Sequence, residues 1–164
     1  MIFVTVGAQM PFDRLIRAVD EWASTRGRAD VFAQIGPSDL KTKAASTVQF
    51  MKPEEFRQRV TAADLIVAHA GMGSIITALE LGKPIIVMPR RGDLRETRND
   101  HQLATARKLG DAKRVIVAWD ERELIDKLDT VDGRGSFDRI QTHASEGLVC
   151  ALRSFLQGEP QEAR

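Results

Sequence analysis

A chain of 164 residues, with 43% apolar and 29% charged side chains, is long enough to bury one hydrophobic core and has the composition of an ordinary globular domain. Its formal net charge of +1 supplies no overall field for nucleic acid or an anionic membrane, and the lack of tyrosine removes stacking surfaces that single-strand binders use. We therefore expect no nucleic acid partner.

The single cysteine and the amino terminus both favour a cytoplasmic protein. Cys150 has no second cysteine to pair with, and its apolar neighbours predict a core residue rather than a nucleophile. The opening apolar run is too short for a signal peptide, and no apolar stretch reaches the roughly 20 residues of a membrane helix. We expect any work at a membrane to depend on a partner that recruits the chain.

Short β-branched runs alternate along the chain with helical apolar patterns. In the first half they predict a strand at 2–6, a helix from Pro11, a strand at 31–35, a polar stretch at 38–46, a strand at 47–51 and a helix from Pro53. In the second half they predict strands at 64–68, 84–88 and 114–118, helices at 73–81, 100–109 and 121–128, a glycine-rich loop at 132–136 and a helix from Ser145. This order predicts an α/β fold: a three-layer, doubly wound parallel sheet of the Rossmann-like type.

Ligands of such sheets bind beyond the carboxyl ends of the strands, which directs attention to the loops there. After the first strand come Gly7, Ala8 and Gln9, ahead of a helix start. Backbone amides at a helix start favour an anion, although an ordinary strand-to-helix turn also favours glycine.

The loop after the fourth strand reads His69, Ala70, Gly71, Met72, Gly73, Ser74. Closely spaced glycines let amides approach a diphosphate, and a serine hydroxyl adds a donor. The loop lacks the lysine of a phosphate-binding GxxxxGK[ST] motif and the third glycine of a GxGxxG motif. The histidine is either a structural residue or a ligand contact.

After the fifth strand, residues 89–102 carry four arginines around two acids, Asp93 and Glu96, and end in Asp100, His101 and Gln102. A solvated loop explains Arg95 and Arg98, whereas the carboxylate and amide at the helix entrance suit sugar hydroxyls.

Together, His69 to Ser74, residues 80–89 (Glu-Leu-Gly-Lys-Pro-Ile-Ile-Val-Met-Pro) and residues 99–102 (Asn-Asp-His-Gln) resemble the donor-binding half-domain of GT-B glycosyltransferases, of the family 28 C-terminal type. Within it, the chain is most similar to bacterial exopolysaccharide glucuronosyltransferase subunits and to the catalytic subunit of the split UDP-GlcNAc transferase of dolichol-linked oligosaccharide synthesis. The resemblance implies a UDP-sugar donor-binding domain at residues 1–157, followed by a polar tail at 158–164.

The resemblance also implies where the donor binds. Gly7 to Gln9 and Gly71 to Ser74 would surround the UDP diphosphate, Glu80 the ribose, and Asp100 to Gln102 the sugar or the β-phosphate. Ala8 departs from many relatives, which carry Thr or Ser there. No catalytic residue is assigned, with His69 the one candidate.

Because the chain begins at the donor domain, the resemblance implies that another polypeptide supplies the other GT-B half. That partner would be membrane-anchored, would bind a lipid-linked acceptor, and would recruit this chain to the inner face of the membrane. No Asp-x-Asp motif calls for a divalent ion, so we expect neither metal nor cofactor.

The donor sugar and the activity itself leave alternatives. Arg90 or Arg91 near the sugar would suit a uronate, which favours glucuronosyl transfer in exopolysaccharide biosynthesis, with UDP-GlcNAc as the second choice. A non-catalytic UDP-sugar-binding regulatory module would keep the same loops. A nucleotide-sugar epimerase or dehydrogenase is disfavoured, because GxGxxG and tyrosine are both absent.

Overall fold

The apolar runs of the chain form one six-stranded parallel sheet in a computed structural model that describes residues 1–131. The strands are β1 Ile2–Thr5, β2 Val31–Gln34, β3 Ser46–Val48, β4 Leu65–His69, β5 Ile85–Met88 and β6 Ile116–Val117. The helices are α1 Asp13–Thr25, α2 Pro53–Ala62, α3 Met72–Glu80, α4 His101–Asp111 and α5 Glu121–Thr130. The predicted elements are confirmed in type and order as far as α5. The predicted loop at 132–136, the helix from Ser145, the domain end at 157 and the tail lie outside the described residues.

The strands are arranged in the order β3-β2-β1-β4-β5-β6, and every neighbouring pair is parallel. This is the order of the Rossmann fold, so the prediction of a doubly wound sheet is confirmed. The chain builds outward from β1 to one edge, then returns to β4 beside β1 and builds to the other edge. The carboxyl ends of β1 and β4 therefore flank the point where the strand order reverses.

Two apolar clusters cover the two faces of the sheet and account for its three layers. Alternate strand residues point to opposite faces, so Val4 packs with α1 and α5 whereas Phe3 packs with α2, α3 and α4. Both β1 and β5 are buried along their whole length. Such burial on both faces explains why these strands are continuous apolar runs rather than alternating ones.

The polar stretch after β2 is held by two carboxylates of α1. Asp20 accepts hydrogen bonds from the backbone amides of Lys43, Ala44 and Ala45 at 2.8–2.9 Å. Burial alone would raise the pKa of Asp20, but these amide hydrogen bonds lower it below its ordinary value. Asp13 accepts from the Ser38 hydroxyl at 2.7 Å, so a segment without its own regular structure is fixed by the side chains of one helix.

None of the helices within residues 1–131 has both the length and the apolar character needed to cross a membrane.

Candidate functional site

A cavity of about 440 Å³ opens where the carboxyl ends of β1, β4 and β5 meet. This is the switch point of the sheet, where ligands of such folds bind. Its lining consists of Val6, Gly7, Ala8, Gln9, His69, Gly71, Met72, Gly73, Ser74, Arg90, His101 and Gln102. The structure therefore brings together in one place the three loops that the sequence singles out.

The loop after β1, residues 6–12, has three of its carbonyl groups held by side chains from β2 and from the segment after β5. Arg90 donates to the oxygens of Val6 and Met10 at 2.7 and 2.6 Å, and Gln34 donates to that of Gly7 at 3.4 Å. Gly7 adopts φ +75°, which an L side chain rarely tolerates. Among the hydrogen bonds of the described residues, the amides of Ala8, Gln9 and Met10 have no acceptor.

His69 separates this loop from the loop after β4. A Cβ atom on Gly7 would lie 3.0 Å from the His69 ring, and one on Gly71 would lie 2.1 Å from its Nε2. Both glycines therefore leave room for the imidazole. A Cβ on Gly73 would meet no atom within 4 Å, which shows that this glycine borders open space.

Burial, together with the positive charge of Arg90, lowers the pKa of His69 to about 4. The imidazole is therefore neutral at pH 7. Its Nδ1 is buried and has no hydrogen-bond partner within the described residues. A neutral ring of this kind can donate one hydrogen bond but carries no charge to a ligand.

Helix α3 begins at the floor of the cavity with Met72, Gly73 and Ser74. The first amides of a helix have no carbonyl partner within it, and Gly71 at the N-cap supplies no side-chain cap. The first hydrogen bond of the helix runs from the Ile75 amide to the Gly71 carbonyl. These amides and the positive end of the helix dipole suit an anion.

Arg90 is the charged residue of the cavity wall. It is only 4% exposed, its guanidinium lies over the Phe12 ring, and burial lowers its pKa. No carboxylate lies among the lining residues within the described part of the chain. The cavity therefore combines free amides with one positive charge, which favours a negatively charged ligand.

Three predicted site residues do not line the cavity. Glu80 lies at the far end of α3, about 9 Å along the helix from Ser74 at 1.5 Å per residue, and pairs with Arg57 at 3.5 Å. Arg91 turns outward and pairs with Asp93 at 2.6 Å. Asp100 is exposed and accepts from the amide of Gly92 at 3.0 Å.

The expectation that Arg90 or Arg91 pairs with a uronate therefore has no support in the geometry. Arg90 lines the cavity, but both of its terminal nitrogens donate to backbone carbonyls. Arg91 lies outside the cavity and is already paired. A free arginine fork at the sugar end was inferred from composition, and the structure does not provide one.

The neighbouring His101 and Gln102 do line the cavity. Gln102 is 7% exposed, and its Oε1 accepts from the Arg90 amide at 3.1 Å, which fixes the side chain in place. The ring of His101 is hydrogen-bonded to the side chain of Asn99. The last two residues of the motif at 99–102 thus line the cavity, whereas Asp100 holds the adjoining loop through the Gly92 amide.

A buried polar pair beneath the first loop, Thr5 and Gln34, was not predicted from the sequence. Thr5 donates to Gln34 Oε1 at 2.6 Å, and Gly7 donates back to the Thr5 hydroxyl at 3.3 Å. Both side chains are buried at the ends of strands that are otherwise apolar. That break in an apolar run was the available signal, because a buried polar group usually serves another polar group.

Two other cavities in the described residues lack these features. One of about 340 Å³ lies beside residues 38–42, and one of about 490 Å³ lies on the surface of α2. Neither contains a glycine-rich loop, and the first turn of α2 beside the second cavity carries the acidic Glu54. Residues 1–131 also contain no group of three or more histidine, cysteine or acidic residues placed to hold a metal ion.

Fold and cavity together define a Rossmann-type domain with a cleft at the switch point of its sheet, lined by backbone amides and a buried arginine. The model of the glycosyltransferase family 28 C-terminal domain matches residues 1–139. The chain belongs to this family, and the predicted GT-B half-domain is confirmed.

The similar sequences carry one name, UDP-N-acetylglucosamine transferase subunit ALG13. The human protein is 31% identical over 118 residues, which are 66% of this chain and 10% of that protein. The Yarrowia lipolytica protein is 24% identical over 137 residues, 73% of this chain and 65% of that protein. The chain thus spans about a tenth of the human relative and just under two thirds of the yeast one.

Two solved structures share the fold. A solution structure of ALG13 has a TM-score of 0.59 at 19% identity and covers 94% of both chains. The crystal structure of the glycotransferase of kitacinnamycin has a TM-score of 0.54, also at 19% identity, and covers 78% of this chain and 34% of that one. The similarity to bacterial glucuronosyltransferase subunits, inferred from the sequence, has no counterpart among these relatives.

Proposed function

We propose that this chain is the UDP-sugar-binding catalytic subunit of a two-component glycosyltransferase, and that its donor is UDP-N-acetylglucosamine. The observation that carries the proposal is the cavity at the switch point, which joins free backbone amides to a buried arginine and contains no carboxylate. Membership of a glycosyltransferase family supports the activity, and the similarity to proteins named as UDP-N-acetylglucosamine transferase subunits supports the donor.

The cavity suits the diphosphate of such a donor. Sugar transfer breaks the bond between the sugar and the β-phosphate, so negative charge grows on the leaving UDP. Amides that already point at this charge stabilise it without reorganisation. In this proposal the amides of residues 8–10 and 72–74 contact the diphosphate, and neutral His69 donates one further hydrogen bond.

In this proposal Gln102 and His101 meet the sugar or the β-phosphate. The NH₂ group of Gln102 donates to no group within residues 1–131, while its oxygen accepts from the Arg90 amide. Glu80 is left out of the proposed site because its carboxylate lies at the other end of α3. We assign no general base to this chain.

The acceptor side belongs to a second protein in this proposal. The relatives are named as subunits of a transferase, which supports a second, acceptor-binding subunit. We propose a membrane-anchored partner that presents a lipid-linked acceptor, with this chain bound to it at the cytoplasmic face of the membrane. Transfer would then need neither metal nor cofactor.

Calorimetric titration of the purified chain with UDP, UDP-GlcNAc, UDP-glucuronate, UDP-glucose and NAD tests donor binding. We expect the UDP compounds to bind, UDP-GlcNAc to bind tighter than UDP-glucuronate, and NAD not to bind. Tighter binding of UDP-glucuronate would overturn the choice of donor. Failure of every UDP compound would overturn the donor-binding function itself.

Activity is tested by adding the chain to membranes of the organism that encodes it, with radiolabelled UDP-GlcNAc and with EDTA present. We expect label to enter the lipid fraction despite the chelator. Binding of UDP-GlcNAc without any transfer in the presence of the co-purified partner would favour the alternative, a non-catalytic UDP-sugar-binding regulatory module.

A further inference from the structure

Arg90, which follows β5, holds both ends of the loop after β1. Its Nη2 donates to the carbonyls of Val6 and Met10, at 2.7 and 2.6 Å. These residues bracket the amides of residues 8–10, so the guanidinium sets the shape of the loop between them. Its backbone amide is in turn fixed by Gln102.

The charge of Arg90 is not neutralised by an ion pair. Within residues 1–131 no carboxylate lies within 4.0 Å of its nitrogens, and its buried Nε has no hydrogen-bond partner. Glu96, the acid whose charge acts on Arg90, is engaged by Arg14 at 2.6 and 2.9 Å. A buried charge without a partner is costly, and an anion in the adjoining cavity would offset that cost.

We infer that Arg90 is a positioning residue for a diphosphate. Its guanidinium holds the carbonyls of Val6 and Met10, so that the amides between them stay free for the ligand. Its charge also raises the affinity of the cavity for an anion. This inference rests on the proposed function. It adds to the site a residue that strengthens binding of the diphosphate and not of the nucleoside.

The test compares UDP with uridine, which lacks the diphosphate, in calorimetric titrations of Arg90→Met and Arg90→Lys. We expect Arg90→Met to weaken UDP binding at least thirtyfold and uridine binding less than twofold. We expect Arg90→Lys to recover part of the loss, because it restores the charge but not the fork that bridges two carbonyls.

Arg14→Met is the matched control. Arg14 is also a largely buried arginine, with a side chain 14% exposed, but it pairs with Glu96 and Glu121 outside the cavity. We expect this variant to lower the melting temperature without changing the ratio of UDP to uridine affinity. An equal change of that ratio in Arg14→Met and Arg90→Met would overturn the inference.

A measurement on the wild-type chain guards against unfolding of the variants. Titration of ¹⁵N-labelled protein with pyrophosphate should shift the amide signals of residues 8–10 and the Nε–H signal of Arg90. Saturable binding without these shifts would overturn the inference. If the wild-type chain binds UDP but Arg90→Lys binds it equally well, only the role of Arg90 fails; if the wild-type chain binds neither UDP nor pyrophosphate, the proposed function fails with it.

Discussion

The loop after β1 and the segment after β5, residues 89–100, meet at the same edge of the sheet but are held in opposite ways. The first loop has no charged residue between Val6 and Met10. Its carbonyls are held by Gln34 of β2 and by Arg90 of the segment after β5. The segment after β5 is rich in charge and largely satisfies itself. Within it, Glu96 accepts from the Arg91 amide and Asp100 from the Gly92 amide.

The comparison shows that the charge of a loop does not decide which of its side chains reach the cavity. In the arginine-rich segment Arg91 pairs with Asp93 and Glu96 pairs with Arg14, and of residues 89–100 only Arg90 lines the cavity. The uncharged loop, by contrast, keeps amides free. Four experiments test this comparison, from the largest expected effect to the smallest.

His69 lies against the first loop, and its burial makes stability depend on pH. The folded chain binds a proton there near pH 4, whereas the unfolded chain does so near pH 6.5. The unfolded state therefore holds more protons between these values, and stability should fall as pH drops from 6.5 to 4. At about 1.4 kcal/mol per pKa unit, His69→Gln should remove about 3 kcal/mol of this dependence.

Urea unfolding between pH 4.5 and 7.5 measures how the free energy of unfolding depends on pH. The carboxylate of Asp30, whose pKa the hydrogen bond from Arg28 lowers to about 2, responds only at lower pH. Identical slopes for the wild type and His69→Gln across this range would show that His69 is not the group responsible.

Gly71→Ala should crowd the His69 ring, since the new Cβ would lie 2.1 Å from Nε2. Overpacking of this kind costs about 1–3 kcal/mol, and we expect about 2. Gly73→Ala is the control, because its Cβ meets no atom within 4 Å and alanine favours a helix by roughly 0.5–1 kcal/mol. Melting temperatures should move in opposite directions. A parallel loss in both variants would mean that His69 does not set the spacing of these loops.

Glu96→Gln tests the internal pairing of the segment after β5. Glu96 is 12% exposed on its side chain and accepts from Arg14 twice and from the Arg91 amide. Loss of its charge should cost about 1.5–2 kcal/mol in chemical unfolding. Asp93→Asn removes an exposed partner of Arg91 and should leave the unfolding midpoint unchanged. Equal shifts would contradict the central place given to Glu96.

Gly36→Ala and Gly27→Ala sharpen the account of the first loop, because both glycines have nearly the same φ, +63° and +62°. The left-handed conformation costs either alanine about 1–2 kcal/mol. Only at Gly36 would the Cβ also lie 2.9 Å from the Gly7 oxygen. We expect Gly36→Ala to be about 1 kcal/mol more destabilising in urea titrations. Equal losses would mean that the first loop yields freely at this point.

The sequence by itself determined the class of fold, the order of the elements and the loops that matter. Continuous apolar runs such as Ile85–Met88 predict buried parallel strands, and a proline or glycine at the boundaries sets their ends to within a few residues. Parallel strands separated by helices have one common carboxyl edge. That the loops leading to Gly7, His69 and Gln102 meet at one edge of the sheet follows from that rule.

Only the tertiary structure decided which side chains face the cavity. Arg90 and Arg91 are neighbours with the same chemistry, yet one is buried against Val6 and Met10 and the other pairs with Asp93 in solvent. Glu80 belongs to the same helix as Ser74 but lies at the opposite end of α3. These outcomes depend on contacts between residues up to 84 positions apart, which local pattern does not encode.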